Sequence, residues 1–429
     1  MTPGAHVAAA IEVLEDIIER RRPAPDALKD WGLTHRFAGS KDRAAISSLA
    51  FDALRRKASA AWIMQDETPR AILIGALHLQ RGLPLEEVAA LYSGEGHSPA
   101  PLSEKESERL SAASLDGAPL HVAADIPEWL APHFLAAFGE RAIEEGRALA
   151  ERAPVDLRVN RLKDTRDKAL AALAHLNAAP TPFSPIGLRI EPSPDGRGPA
   201  LTAEPAFAKG WIEIQDEGSQ LASLLCAAKP GEQVLDLCAG GGGKTLALAA
   251  EMENRGQIYA TDTDGRRLMP IYKRLERANV RNVQVRAPRG AADILGDLRD
   301  RCDLVLIDAP CTGTGTWRRN PDAKWRIRPG ALAERIKAQD DLLTRAADFV
   351  KPGGRIVYVT CSVLRDENED RVSAFLQTHP QFALQSAETT IARAGLELLR
   401  SFATNDVGLR LSPATSHTDG FYVAMLTRA

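Results

Sequence analysis

The chain has 429 residues, of which 44% are hydrophobic and 26% charged, and its formal net charge is −3. These values are typical of a soluble globular protein of two or three domains, and they exclude binding to nucleic acid or membrane through a global excess of positive charge. No apolar run reaches the roughly 20 residues of a membrane span, and the acidic N-terminal segment is unlike a signal peptide. The five cysteines are odd in number and lack C-x-x-C spacing, so we predict no disulfide framework, no metal site and a cytoplasmic location.

The first part of the chain has apolar residues at the spacing of helices. Val7, Ile11 and Leu14 fall on one helical face. No catalytic constellation occurs in this part, so we predict an all-helical docking domain over residues 1–115. Residues 125–220 alternate between short helical and short strand patterns, which predicts a small α+β segment.

The remaining residues, 221–429, alternate between strand and helix patterns, which is typical of a mainly parallel sheet covered by helices. We predict a helix over 331–350 and strands near 233–238, 257–262, 283–287, 303–308, 355–360, 408–412 and 420–427. In an open sheet of this kind, ligands bind at the carboxyl ends of the strands. We therefore expect the site residues where these strands end.

A glycine-rich loop follows the first of these strands. It reads Asp236-Leu237-Cys238-Ala239-Gly240-Gly241-Gly242-Gly243-Lys244-Thr245. Its end matches the phosphate-binding motif G-x-x-x-x-G-K-[ST], but Cys238 stands where that motif has its first glycine, so an ATPase is the weaker interpretation. The second strand ends at Asp262, where a carboxylate can accept hydrogen bonds from a ribose. This acid and a loop that admits close backbone approach favour S-adenosylmethionine as the cofactor.

Two cysteines follow two of the predicted strands. Cys311 lies in Ala-Pro-Cys-Thr-Gly and Cys361 in Thr-Cys-Ser, whereas Cys226 and Cys302 are assigned to the core. Methyl transfer to C5 of a pyrimidine requires a thiolate that adds to C6, a base that removes the C5 proton and an acid that contacts the ring. The two strand-end cysteines and Asp308 meet these requirements. The chemistry does not decide which cysteine attacks.

Residues 317–328 form a local basic patch. They contain five basic residues and one acidic residue, with Trp317 and Trp325 between them. Cations interleaved with aromatic rings are typical of surfaces that bind unpaired nucleic-acid strands, although a solvated charged loop has the same composition. We predict single-stranded or loop RNA as the substrate. The predicted RNA contacts are Arg318, Arg319, Lys324 and Trp325.

Several motifs resemble those of the Sun/Fmu-type RNA cytosine-5 methyltransferases. They are the glycine-rich loop, Asp308-Ala309-Pro310-Cys311-Thr312-Gly313-Thr314-Gly315, Arg319-Asn320-Pro321-Asp322-Ala323-Lys324-Trp325, Thr360-Cys361-Ser362, Gln215-Asp216-Glu217-Gly218-Ser219-Gln220 and Asp419-Gly420-Phe421-Tyr422-Val423-Ala424. This likeness extends from about residue 125 to 429. Over residues 1–115 a weaker likeness is to the helical domain related to the antitermination factor NusB, which heads the bacterial 16S rRNA branch of the family.

The resemblance implies a fold and a reaction. The fold is α/β: a class I S-adenosylmethionine-dependent methyltransferase domain of Rossmann-like type over 221–429, with its last strand antiparallel, preceded by the NusB-like domain and the small α+β segment. The reaction is methyl transfer from S-adenosylmethionine to C5 of a cytosine in RNA through a covalent cysteine adduct at C6. The expected substrate is 16S rRNA, and the expected enzyme is a cytoplasmic monomer.

The resemblance also implies residue roles. Cys361 is the implied nucleophile, and Cys311 is the implied base for elimination. Asp308 is expected to face both the cofactor and the cytosine. The implied cofactor site consists of Cys238, Ala239, Gly240, Gly241, Gly242, Gly243, Lys244, Asp262 and Asp308.

Two positions depart from the family pattern. The family commonly has proline where Gly241 stands, and an aspartate after the third strand, where this chain reads Arg286-Ala287-Pro288-Arg289 and the nearest aspartate is Asp293. Two other functions stay open. A uridine C5 methyltransferase would use the same thiol chemistry. A non-catalytic rRNA-binding assembly factor is the second alternative, and the two intact cysteines argue against it.

Overall fold

The computed structural model describes residues 1–193, 198–290, 292–403 and 407–429. Contacts between residues divide the chain into two compact units. The helical unit consists mainly of Met1–Ala153 together with Trp317–Arg328. The sheet unit consists of Pro154–Glu191, Pro199–Thr316 and Pro329–Ala429. The three predicted domains, with boundaries near residues 115, 125 and 220, stay a prediction.

The α-helices of the described residues are numbered in chain order. They are α1 (Pro3–Ile18), α2 (Ala24–Thr34), α3 (Ser40–Arg55), α4 (Lys57–Met64), α5 (Pro69–Arg81), α6 (Leu85–Leu91), α7 (Glu104–Ser111), α8 (Leu120–Ala123), α9 (Ala131–Phe138), α10 (Ala142–Ala150), α11 (Arg166–Ala172), α12 (Pro205–Ala208), α13 (Glu217–Leu224), α14 (Gly243–Glu251), α15 (Gly265–Ala278), α16 (Pro321–Arg326), α17 (Pro329–Ala347), α18 (Glu369–Thr378), α19 (Ala387–Ala394) and α20 (Pro413–Ser416).

The strands of the described residues are numbered in the same way. They are β1 (Val155–Val159), β2 (Ala179–Pro180), β3 (Gly187–Ile190), β4 (Ile212–Ile214), β5 (Gln233–Asp236), β6 (Gln257–Ala260), β7 (Val283–Val285), β8 (Cys302–Asp308), β9 (Val350–Thr360), β10 (Phe382–Leu384), β11 (Leu409–Leu411) and β12 (Phe421–Arg428). A smaller antiparallel sheet has the order β2-β3-β1-β4. The larger sheet has the order β10-β12-β9-β8-β5-β6-β7, and β11 pairs with β12.

The helical unit is built from amphipathic helices with well-formed ends. The Thr2 side chain caps α1 by accepting from Ala5 N, and the Thr68 side chain caps α5 in the same way; each helix begins with a proline in its first turn. The apolar faces of α1, α3 and α5 meet in one buried core that includes Val13, Leu14, Ile46, Leu54, Ile72 and Leu73. Residues 1–115, for which helices were predicted, contain α1 to α7 and no strand, while the helical docking domain and its NusB likeness stay predictions.

The larger sheet confirms the predicted α/β class. Strands β5 to β9 pair in parallel, and β12 runs antiparallel beside β9. Because β5 lies between β6 and β8, the connections after β5 and β8 leave in opposite directions and open a crevice at the carboxyl edge. The predicted strands are present, and the helix predicted over 331–350 is α17. Strand β10, with three residues, was missed.

None of the helices in the described ranges has the length and apolar character that crossing a membrane would require.

Candidate active site

The glycine-rich loop joins β5 to α14 and has a backbone that only glycine tolerates at its centre. Gly242 has a φ of 83°, and a Cβ there would lie 2.4 Å from Cγ1 of Ile271.

At the end of β5, Asp236 is buried and accepts a hydrogen bond from Thr245 Oγ1 at 2.7 Å. Burial raises the pKa of Asp236 to about 7. Burial also raises the pKa of the Cys238 thiol well above its usual value, so this sulfur is poorly suited to be a nucleophile.

Asp262, predicted as the ribose acceptor, follows β6 and faces the glycine-rich loop. Its Oδ2 accepts from the backbone N–H of Gly240 at 3.1 Å and lies 3.5 Å from Nη1 of Arg267. Its Oδ1 accepts from Asp264 N at 3.1 Å. These bonds hold the carboxylate at the carboxyl edge of the sheet beside the loop, where an acid can meet ribose hydroxyls.

Lys244 and Asp308 form an ion pair across the crevice between β5 and β8. Nζ of Lys244 lies 2.7 Å from Oδ2 of Asp308. Burial opposes the charge on Lys244, but the neighbouring Asp308 carboxylate and the Cys361 sulfur outweigh it, so the pKa of the lysine is raised and it stays cationic. The ammonium also lies 5.2 Å from the ring centroid of Phe421 on β12. Phe421 belongs to one of the sequence motifs, but sequence reasoning gave it no role.

Cys311 and Cys361 meet at the same edge of the sheet. Their Sγ atoms are 3.4 Å apart, close enough for one thiol to donate to the other sulfur. The hydrogen bond with Cys361, with burial as the second cause, raises the pKa of Cys311 well above its usual value. The pair therefore favours a protonated Cys311 that donates to the Cys361 sulfur.

Buried polar side chains hold the loop that carries Cys311. Glu367 is fully buried, and its Oε1 accepts from Thr312 N at 2.8 Å and from Gln339 Nε2 at 3.1 Å. Gln339 Nε2 also donates to Pro310 O at 3.0 Å, so both neighbours of Cys311 in the chain are fixed. Sequence reasoning missed Glu367 and Gln339, because both lie outside the motifs.

A second set of hydrogen bonds fixes the chain next to Cys361. Thr314 Oγ1 lies 3.0 Å from Ser362 Oγ and accepts from Val363 N at 2.9 Å. Asn368 Nδ2 donates to Ser362 O at 2.9 Å. The loops after β8 and β9 are thus bonded to each other, which limits the relative movement of the two thiols.

The four predicted RNA contacts lie in the helical unit. Two of them, Lys324 and Arg318, are buried. Lys324, only 1% exposed, donates from Nζ to Arg55 O at 3.2 Å, and Trp325 donates from Nε1 to Leu54 O at 2.6 Å. Both groups therefore cap the C-terminus of α3, where cations and donors are favourable. Arg318 is also buried, while Arg319 and Trp325 are half-buried. Burial of Lys324 and Arg318 contradicts the prediction that these two side chains face RNA.

The region after β7 supplies no aspartate at the place where the family commonly has one. Arg286 there is paired with Asp297, with Nη1 and Oδ1 2.5 Å apart, and its guanidinium lies over the ring of Tyr259. Asp293 instead lies 3.5 Å from Arg299, with more than half of its side chain exposed. The structure therefore has Arg286, paired with Asp297, after β7 where the family commonly has an aspartate.

The parallel sheet, its antiparallel last strand, the glycine-rich loop and the acid after β6 together define a class I methyltransferase fold. A family model described as 16S rRNA methyltransferase RsmB/F matches residues 223–427. A second, for the ferredoxin-like domain of RsmF/B-like proteins, matches residues 126–195. The chain belongs to the RsmB/F family of 16S rRNA methyltransferases.

Individual relatives agree with this assignment. The chain is 34% identical over 306 residues to the probable ribosomal RNA small subunit methyltransferase B of Synechocystis sp., covering 71% of this chain and 67% of that protein. It is 34% identical over 310 residues to the ribosomal RNA small subunit methyltransferase B of Photorhabdus laumondii, covering 70% and 66%. The crystal structure of PH0851 is similar over 100% of this chain and 99% of that one, with a TM-score of 0.73 and 27% identity. The sequence matches thus span about two thirds of each relative's length.

Proposed function

We propose that this protein transfers a methyl group from S-adenosylmethionine to C5 of a cytosine in 16S rRNA, through a covalent bond between Cys361 and C6 of the base. The observation that carries the proposal is the 3.4 Å contact between the two thiols at the sheet edge that also holds Lys244 and Asp308. A lone reactive thiol would suit many reactions. Two adjacent thiols beside an ammonium and a carboxylate meet the particular needs of pyrimidine C5 chemistry.

The residues at the crevice fit S-adenosylmethionine. The cofactor has ribose hydroxyls and lacks phosphates, and the donor set offers a carboxylate, Asp262, and a close glycine backbone. We assign the cofactor to the loop of residues 238–244, to Asp262 and to the Lys244–Asp308 pair. When bound, S-adenosylmethionine supplies an electrophilic methyl group. A phosphate-binding role is disfavoured because the lysine that would meet phosphate is bonded to Asp308 at 2.7 Å.

The first step is attack on C6 by the Cys361 thiolate. The Cys361 sulfur is among the groups that raise the pKa of the nearby Lys244, so this lysine is cationic beside the attacking thiol. As the S–C6 bond forms, the electrons of the C5–C6 double bond move to C5. C5 would then take the methyl group as the methyl–sulfonium bond of S-adenosylmethionine breaks, with S-adenosylhomocysteine as the leaving group. Asp308 accepts a hydrogen bond from the exocyclic amine of cytosine. Uracil presents a carbonyl at the same position, so this carboxylate favours cytosine over uracil.

The second step is removal of the C5 proton by Cys311. In the free enzyme the hydrogen bond with Cys361 raises the pKa of Cys311. Once the Cys361 sulfur is bonded to C6 it is no longer an anion, so the larger cause disappears and only burial still opposes loss of the Cys311 proton, which passes to water before elimination. The Cys311 thiolate then takes the C5 proton, the C5–C6 double bond re-forms, and the C6–S bond breaks to restore the Cys361 thiolate.

The helical N-terminal domain, residues 1–115, and the smaller sheet are proposed to hold the RNA. Support comes from the family match to a ferredoxin-like domain over residues 126–195 and from the names of the relatives, which are small-subunit rRNA methyltransferases. Within the patch of residues 317–328, Arg319 and Trp325 keep partial exposure and stay candidates for RNA contact.

The direct test is incubation of the full chain with methyl-labelled S-adenosylmethionine and 16S rRNA, followed by digestion and mass spectrometry of the nucleosides. We expect labelled 5-methylcytidine with the wild type and none with Cys361→Ala. Labelled 5-methyluridine would establish the uridine alternative. Absence of label in any RNA, together with RNA binding, would establish the assembly-factor alternative.

A further inference from the structure

Two arginines bind the backbone of the glycine-rich loop from outside the cofactor crevice. Nη1 of Arg158, on β1, donates to Gly243 O at 3.0 Å. Nη1 of Arg274, on α15, donates to Gly241 O at 2.7 Å. Neither residue belongs to a motif that the resemblance or the proposed mechanism uses.

A buried glutamate organises these arginines. Oε2 of Glu213 accepts from Nη2 of Arg274 at 3.0 Å, and its Oε1 accepts from Nη2 of Arg277 at 2.5 Å. Glu213 on β4 is also the register partner of Arg158 on β1, and its charge favours the guanidinium that burial opposes. Burial lowers the pKa of Arg158 to about 10, so this guanidinium is still charged near neutral pH. Arg158 and Glu213 are only 3% and 2% exposed, so these two charges are buried in the protein and do not form a surface ion pair.

The two arginine bonds orient peptide planes in the loop. In a planar trans peptide the carbonyl oxygen and the following N–H point in opposite directions. Fixing Gly243 O therefore fixes the N–H of Lys244, the residue that pairs with Asp308. Fixing Gly241 O fixes the N–H of Gly242, which donates to Ala239 O at 2.8 Å. Four consecutive glycines have high conformational freedom, so these bonds reduce the entropy that binding would otherwise have to remove.

We infer that Arg158, which faces Glu213 across the strand pair, and Arg274, which binds Glu213, are positioning residues that pre-order the glycine-rich loop and set the affinity for S-adenosylmethionine. Arg274 restrains the peptide that follows Gly241, the position where the family commonly has a proline. The inference rests on the proposed function, because it concerns the loop assigned to that cofactor. It also links cofactor affinity to β1 and β4 of the smaller sheet.

Calorimetry with S-adenosylmethionine, in the absence of RNA, tests this inference on the full chain. We expect Arg274→Gln to weaken binding about tenfold, the size expected for loss of one charge-assisted hydrogen bond. Arg274→Lys keeps a cation in reach of the carbonyl and should recover part of this loss. The matched control is Arg161→Gln, which removes the same charge from an exposed pair with Glu251 on α14 and touches no loop carbonyl.

A second readout separates positioning from a general loss of structure. Hydrogen exchange of residues 238–245 without ligand should speed up in Arg274→Gln, while its RNA affinity and its kcat at saturating cofactor stay within about twofold of the wild type. Binding of S-adenosylmethionine by Arg274→Gln within twofold of the wild type, or equal weakening in Arg161→Gln, would overturn the inference. If Arg274→Gln does not fold, the affinity of Arg274→Lys for S-adenosylmethionine is compared with that of Arg161→Gln instead. A wild type that binds no S-adenosylmethionine would instead overturn the proposed function.

Discussion

The sulfur of Cys311 lies 3.4 Å from the sulfur of Cys361, although fifty positions separate the two residues in the chain. Strands β8 and β9 are parallel neighbours, so the loops that follow them emerge side by side. In the proposed reaction, this contact couples the protonation of Cys311 to the bonding state of Cys361. The proposed reaction depends on that coupling.

Glu367→Gln should lower kcat about tenfold without weakening S-adenosylmethionine binding. One carboxylate oxygen accepts from the backbone N–H of Thr312 and the other from its hydroxyl. In an amide one of these two positions is an N–H donor, so the hydroxyl bond must reverse and both bonds lose their charged acceptor beside Cys311. Steady-state kinetics and calorimetry measure the two quantities. Glu388→Gln, at an exposed glutamate, is the control. Equal kcat in both variants would show that Glu367 does not position the Cys311 loop.

Lys244→Met should reduce kcat/KM about hundredfold, because it removes one partner of a largely desolvated ion pair and leaves Asp308 uncompensated. Methyl transfer at varied cofactor concentrations is the measurement, with Lys229→Met, at an exposed lysine, as the control. Activity within threefold of the wild type would exclude Lys244 from the site.

Asp236→Asn should raise thermal stability more at pH 8 than at pH 5. Burial raises the pKa of Asp236 from 3.8 to about 7, so the folded state binds the extra proton. The stability that this group contributes is present below pH 3.8 and is lost as the pH rises through about 7. Asparagine has no charge to lose, so its Tm advantage should grow by at least about 2 °C between the two pH values. A constant difference would contradict a protonated Asp236.

Lys324→Met should become relatively more stable as the pH falls from 9 to 6. Burial lowers the pKa of Lys324 from 10.5 to about 7. The stability contributed by the neutral amine is therefore present above pH 10.5 and is lost as the pH falls through about 7. Methionine carries no charge to bury. Thermal melts of both proteins at the two pH values check the sign, and unchanged RNA affinity in the variant would agree with the buried position.

Much of the sheet could be predicted from the sequence, because parallel strands leave a strong local pattern of apolar residues. The same pattern placed Asp262, Asp308, Cys311 and Cys361 at strand ends, where the structure has them. Strand β10 was missed because it is defined by its antiparallel pairing with β12, more than forty positions later in the chain.

Long-range partners could not be read from the sequence. The charge of residues 317–328 is visible locally, but their burial depends on acceptors far away in the chain, such as Arg55 O for Lys324. The support of the Cys311 loop by Glu367 and Gln339 is long-range in the same way. Charge composition alone therefore mistook Lys324, a helix-capping lysine, for an RNA contact.

Covalent trapping tests the central claim most directly. Cys311→Ala and Cys361→Ala are each incubated with RNA and S-adenosylmethionine, and protein–RNA adducts are resolved on a denaturing gel. We predict that Cys311→Ala accumulates a stable adduct, because it can attack and methylate but cannot remove the C5 proton. Cys361→Ala should give neither adduct nor methylated product. An adduct with Cys361→Ala and none with Cys311→Ala would show that the two roles are reversed, and no adduct with either would contradict covalent catalysis by this pair.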